Sequence, residues 1–301
     1  MRWSWLLPFL LVVSGITITI AARADDGLTI SSATHVTEPG SVFLMIVICR
    51  DSRDRVVASA LEREVVFYPD PDGRTWRGLV GVDLESRPGD YVLIVKAIRG
   101  GQPELAATHK LHVAPKRFPT RRLRVAPRYA NPPENQVARI RQESERLGAL
   151  FQSVTPHRWK GPFLMPVANS PANNFGARSI FNGQPRNPHA GVDFMSQEGT
   201  PVRAPNAGRI VLAEDLFFTG NTVIVDHGLG LYSLFAHLSR IDVRPGEAVE
   251  SRGTLGLVGA TGRVTGPHLH WAVRLNEARV DPLSLVAAFE GAAPATDRGK
   301  P

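Results

Sequence analysis

Five of the nine histidines fall between positions 189 and 270, and four of them sit in short segments suited to metal chemistry. The first segment is Asn187-Pro188-His189-Ala190-Gly191-Val192-Asp193-Phe194. Pro188, Gly191 and Val192 argue against a helix, and in a straight strand His189 and Asp193 would stand roughly 13 Å apart, too far for one ion. A tight turn at Ala190-Gly191 is the workable geometry, with Asp193 starting a strand and His189 folded back beside it. The second segment is Gly266-Pro267-His268-Leu269-His270-Trp271. Read as a strand, it turns His268 and His270 to one side and Leu269 to the core. Their backbones then lie about 6.6 Å apart, which suits one histidine on a metal and its neighbour reaching a water or substrate. The third segment, Leu234-Phe235-Ala236-His237-Leu238-Ser239, places a histidine in an apolar strand, where a satisfied core residue is the default reading.

Together the segments HAGVD (His189–Asp193), FAHLS (Phe235–Ser239) and GPHLHW (Gly266–Trp271) resemble the signature blocks of the lysostaphin/LytM-type zinc metalloendopeptidases. Neighbouring text agrees, in GTPVRAPNAGRI (199–210), NTVIVDHG (221–228) and GLVGATGRVTGPHLH (256–270). The resemblance covers about residues 163–285. It implies an antiparallel β-sheet domain that hydrolyses peptide bonds in peptidoglycan stem peptides or cross-links. His189, Asp193 and His270 match the family's zinc ligands, with one Zn²⁺ per chain, and His237 and His268 match its two catalytic histidines. Phe235 stands where tyrosine is frequent. Two neutral imidazoles and one carboxylate leave a zinc site at net +1 with a position open for water. His268, or else His237, would take the proton. Some relatives lack the ligands and act as cell-wall-binding activators of a separate amidase; here all three ligands are present.

Four further residues are candidates around such a site. His227 is a possible extra ligand but reads better as a strand-end residue. Asp226 is placed to orient a ligand histidine, and Asn173 and Asn174 fall where a groove wall should begin. The loops 217–221 and 260–265 are expected to flank that groove. His157 lies in a connector, unrelated to the metal.

The rest of the chain must position these groups. Apolar residues at 43% and charged residues at 21% exclude wholesale disorder and a collagen-like rod. The single Cys49 excludes a disulfide framework and any multi-cysteine metal site. Residues 1–24 read as a secretory signal cleaved after Ala24, which places the protein in the periplasm or outside the cell and makes nucleic acid a poor partner. Residues 25–115 read as an immunoglobulin-like β-sandwich, with strands at 41–49, 64–68, 76–82, 90–98 and 106–113. His35, His109 and His112 there are ordinary polar positions, and Cys49 an inert buried thiol. Residues 116–160 form a basic, proline-rich linker and a helix capped by Asn131 with Pro132 in its first turn. The linker's six cations at Lys116–Arg128 are either solvated or dock on an anionic envelope polymer. Residues 161–287 form the peptidase unit and 288–301 a frayed tail. The fold class expected is therefore mainly β.

Overall fold

The computed structural model describes residues 22–23, 27–32, 35–124 and 132–290. Most of the expected signal, Arg128, Asn131 and the tail beyond 290 lie outside the described residues. No described helix is long and apolar enough to cross a membrane. The chain is mainly β, as its alternating apolar runs require.

The N-terminal half is two five-stranded sheets around one core. One runs in the order Ala22–Arg23, Leu28–Ser32, Val42–Cys49, Thr75–Gly81, Tyr68–Pro69; the other runs Val36–Thr37, Gln102–Val113, Gly89–Arg99, Arg55–Ala60, Arg63–Val66. In Gly89–Arg99, Leu93, Val95 and Ala97 alternate inward, and they meet Met45, Val47 and Trp76 of the facing sheet. The strands Leu28–Ser32 and Arg55–Ala60 were not among those expected. Cys49 is buried and free, and burial raises its thiol pKa. His109 departs from the expectation of an ordinary polar position. It is buried and stacked on His35 with ring centroids 4.6 Å apart, and burial, aided by His35, lowers its pKa.

The C-terminal half is built on a nine-stranded antiparallel sheet. Its main path is Gly191–Phe194, Leu269–Leu275, Leu231–Ile241, Gly220–Gly228, Gly208–Leu216, Ala248–Val249. One face carries Phe194, Trp271, Phe235 and Val223 into a core completed by Leu285 of the helix Pro282–Glu290. That helix was not foreseen, because a short all-apolar run carries no helical period. The same core takes in Val42, Leu44, Leu79 and Leu84 of the sandwich, so an apolar seam joins the two halves. A polar clamp closes the seam. Asp83 accepts from Arg279 Nη2 (2.7 Å) and from the Arg279 backbone N–H (2.8 Å), and Ser284 Oγ accepts from Val42 N–H (2.8 Å).

Part of the opposite face is covered by the helix Glu134–Phe151, whose Leu147, Leu150 and Phe151 rest on Leu212, Ile224 and Tyr232. Arg139 pairs with Asp215 (2.9 Å), Arg146 pairs with Glu214, and Glu143 accepts from Phe217 N–H (2.9 Å). The helix thus packs on the sheet rather than between the two halves. It starts after Pro133, which holds an extended ψ of 147°, not at Pro132. A residue preceding proline is driven out of the helical region, so Pro132 cannot begin the helix. The basic linker is partly structured as well. Thr120–Leu123 pairs in parallel with Arg178–Phe181, and Lys116 pairs with Glu38 at 3.4 Å.

Asp83→Ala would leave the Arg279 guanidinium half-buried at the seam without its main partner. We expect a loss of about 3 kcal/mol in urea-unfolding stability, with the metal centre unchanged in composition.

Candidate metal centre

Strand register brings the site together. Pairing of Gly191–Phe194 with Leu269–Leu275 sets Asp193 opposite His270, and the next strand sets Ala236 opposite His270. Asp193 Oδ1 lies 2.9 Å from His270 Nδ1 and 3.2 Å from His189 Nε2, while the two nitrogens are 3.0 Å apart. Ligand atoms about 2.05 Å from a tetrahedral zinc stand roughly 3.3 Å from one another. The three donors are therefore spaced to hold one small cation, and the His₂Asp set suits zinc chemically. Among the described residues they form the one such cluster. Asp193 is the third residue of its strand rather than the first. His189 is held by neighbouring chain, donating its N–H to Ala177 O (3.0 Å) and accepting from Gly176 N–H (2.8 Å). Gly191 leaves the room needed, since a Cβ there would lie 2.6 Å from His270 Cε1 and 2.6 Å from Trp271 O.

Asn174, 1% exposed, holds the carboxylate from behind. Its Nδ2 donates to Asp193 Oδ2 (2.6 Å), its Oδ1 accepts from Asp193 N–H (3.2 Å), and its backbone oxygen accepts from His189 Nδ1 (3.1 Å). Oδ2 is thereby occupied, leaving Oδ1 for the cluster, and His189 is fixed with Nε2 free of its proton. This role was expected of Asp226, which instead accepts from Thr155 Oγ1 (2.7 Å) and Gly228 N–H (2.8 Å) and secures the connector. No spacing rule links Asn174 to Asp193; only the fold brings them together. Burial resists charge on Asp193, but when His189 and His270 are protonated their hydrogen bonds and charge overcome it and hold the carboxyl far below the usual range.

His237 and His268 complete the cluster, their ring centroids 4.9 Å apart. Each gives Nδ1–H to a backbone carbonyl, His237 to Thr261 O and His268 to Gly266 O, both at 2.9 Å. A carbonyl only accepts, so in the neutral rings Nε2 carries the lone pair. His268 Nε2 lies 3.8 Å from Asp193 Oδ1. Burial, reinforced by His270 and His268, pushes the His237 pKa to about 3. His237 holds a left-handed φ of 66° inside its strand, a strained setting for a β-carbon. Its N–H is tied to Thr219 O (2.9 Å). Loops 217–221 and 260–265 meet beside it, where Gly220, at φ 59°, packs directly on Thr261.

His227 does not join the cluster. It is fully buried, with Nδ1 on Ala207 O (2.8 Å) and Nε2 on Ser233 Oγ (3.0 Å). His157 stacks on Tyr68 of the sandwich at 4.1 Å.

Against known proteins, residues 187–282 match the model of peptidase family M23. A solved Pseudomonas aeruginosa chain assigned to peptidase M23 is 34% identical, with 84% of this chain and 96% of that one covered, at a TM-score of 0.65. The chain belongs to peptidase family M23. Among curated relatives of this M23 chain, the DD-carboxypeptidase/endopeptidase Mpg of Neisseria meningitidis is 41% identical over 97 residues, 32% of this chain and 22% of the relative. The peptidoglycan DD-endopeptidase ShyA of Vibrio cholerae is 43% identical over 84 residues, 28% of this chain and 20% of the relative. The match thus spans about a fifth of these relatives' length.

The buried His227 of this M23 chain makes stability depend on pH. Burial lowers its pKa from 6.5 to about 4. Below pH 6.5 the unfolded chain takes up a proton that the folded chain refuses, so stability present above 6.5 falls as pH drops toward 4. The loss is about 3 kcal/mol at ~1.4 kcal/mol per unit. Unfolding curves of wild type and His227→Gln should diverge in slope across that window.

Proposed function

We propose that this M23 chain is a zinc-dependent endopeptidase that hydrolyses peptide bonds in the stem peptides or cross-links of peptidoglycan. The observation that carries the reading is the convergence of His189 Nε2, Asp193 Oδ1 and His270 Nδ1 to within 3.2 Å of one another. Those three residues would hold the metal. When bound, zinc supplies Lewis-acid polarisation of the scissile carbonyl and acidifies a water toward ~7.

The catalytic residues proposed are His268 and His237. His268, whose Nδ1–H faces the Gly266 carbonyl so that the neutral ring presents its lone pair at Nε2, is the nearer base to receive a proton from the attacking water. His237, kept neutral by burial and with its Nδ1–H already given to Thr261 O, would accept a hydrogen bond at Nε2 from the attacking water or pass the proton onward; a ring so hard to charge is a poor store for it. Asn174 positions Asp193 and His189 rather than touching substrate.

The curated relative named a peptidoglycan DD-endopeptidase supports the substrate class and, with it, a place in the cell envelope, periplasmic or secreted, reached through a signal at 1–24. We take 25–115 and 161–287 as the two domains, with 116–160 connecting them. Exposed Arg121 and Arg122 would favour an anionic envelope polymer. The alternative of a silent amidase activator has no observation in its favour, since the ligand set is whole.

Peptide release from purified sacculi, read by mass spectrometry, tests the proposal. Wild type should release peptides, and His270→Ala or chelation should reduce release at least a hundredfold. No release by zinc-loaded wild type would overturn the reading. Asn174→Ala should keep the fold and weaken zinc binding by about 10–100-fold in a chelator competition.

A further inference from the structure

A cavity of about 450 Å³ extends over the sheet from the metal centre. His270, Ala272 and Arg274 alternate onto one face of the strand Leu269–Leu275, and all three line it. The small Ala272 keeps its floor low. The helix Glu134–Phe151 forms the far wall through Gly148 and Phe151, and a Cβ at Gly148 would meet nothing within 4 Å. The result is a trough with His270 at one end and Arg274 at the other.

The Arg274 side chain has no hydrogen bond or ion pair among the described residues, and its Nη1 is buried without a partner. Its guanidinium lies 5.5 Å from the centre of the Phe151 ring. Directly across the adjoining strand stands Arg279, whose charge is already met by Asp83 and Glu85. Burial, with Arg279 beside it, lowers the Arg274 pKa to about 10, so it stays cationic at neutral pH. A partly buried cation with unused donors is costly to maintain. The ligand that best repays it is a carboxylate, whose two oxygens match the guanidinium fork. Arg274 stands four positions along the strand from His270, ~13 Å of backbone. Allowing for side-chain reach, that is roughly two to four residues of extended peptide.

We infer that Arg274 is a substrate-anchoring residue that binds a carboxylate of the peptide lying in this trough, selecting stem peptides with a free carboxylate a few residues from the bond cleaved. The inference rests on the peptidase reading for the identity of the peptide, and it deepens that reading. The carboxylate belongs either to the peptide's terminus or to an acidic side chain.

Three fluorescein-labelled linear stem peptides test it: one with all carboxylates free, one amidated at the C-terminus and one amidated on the side chain. Each is titrated into metal-stripped full-length protein by anisotropy, then offered to the zinc-loaded protein. One of the two amidations should weaken binding at least tenfold and raise KM with kcat little changed, which identifies the carboxylate. Arg274→Gln should weaken the free peptide by a similar factor and erase the discrimination, Arg274→Lys should restore part of it, and both should bind zinc as wild type does. Undetectable binding of the free peptide, equal binding of all three by wild type, or discrimination surviving in Arg274→Gln would overturn the assignment. Discrimination without cleavage would refute the peptidase reading and uphold the anchor, while cleavage without discrimination would do the reverse.

Discussion

Everything in the C-terminal half answers to one constraint, the crowding of two imidazole nitrogens against Asp193 Oδ1. Two imidazole nitrogens and a carboxylate oxygen lie within 3.2 Å of one another. Lone pairs at that separation repel unless a proton or a cation stands among them. The fold imposes the spacing and then removes each group's freedom to escape it. Register sets Asp193 against His270, Gly191 yields space for the ring, and Asn174 holds both the carboxylate and His189. Backbone carbonyls choose the tautomers of His189, His237 and His268. Such outer contacts orient the groups that meet a metal and tune their basicity.

The scaffold concentrates strain beside the metal-ligand cluster. His237 takes a left-handed backbone inside an otherwise regular strand, and the loops packed at Gly220 and Thr261 hold it there. Backbone strain of this sort costs about 1–3 kcal/mol and survives only where surroundings over-determine it. The sheet's two faces divide the work. One is sealed by the core that also receives the sandwich; the other carries the histidines and is only partly covered by the helix Glu134–Phe151. That partial cover turns an open sheet into a walled trough.

What the sequence revealed followed the range of its signals. Alternation exposed the four longest strands of the N-terminal half, and the spacing of His268 and His270 already placed both rings on one side. Interactions between distant segments stayed hidden. Asn174 and Asp193 are joined only by the fold, and Asp226 looked like the orienting carboxylate because it sits beside a histidine in sequence. The helix Pro282–Glu290 lacks amphipathic contrast and gave no period to read. Burial of His109 against His35 is likewise a product of sheet pairing, since Val36 adds to the edge at His112.

The central claim is that His189, Asp193 and His270 hold a single zinc ion. It is tested most directly by a crystal structure of the purified protein with data collected on both sides of the zinc absorption edge. The account predicts one anomalous peak per chain, bonded to His189 Nε2, His270 Nδ1 and Asp193 Oδ1 at about 2.0–2.2 Å. Zinc-saturated crystals with no peak among these three residues, or with the peak on other ligands, would contradict it.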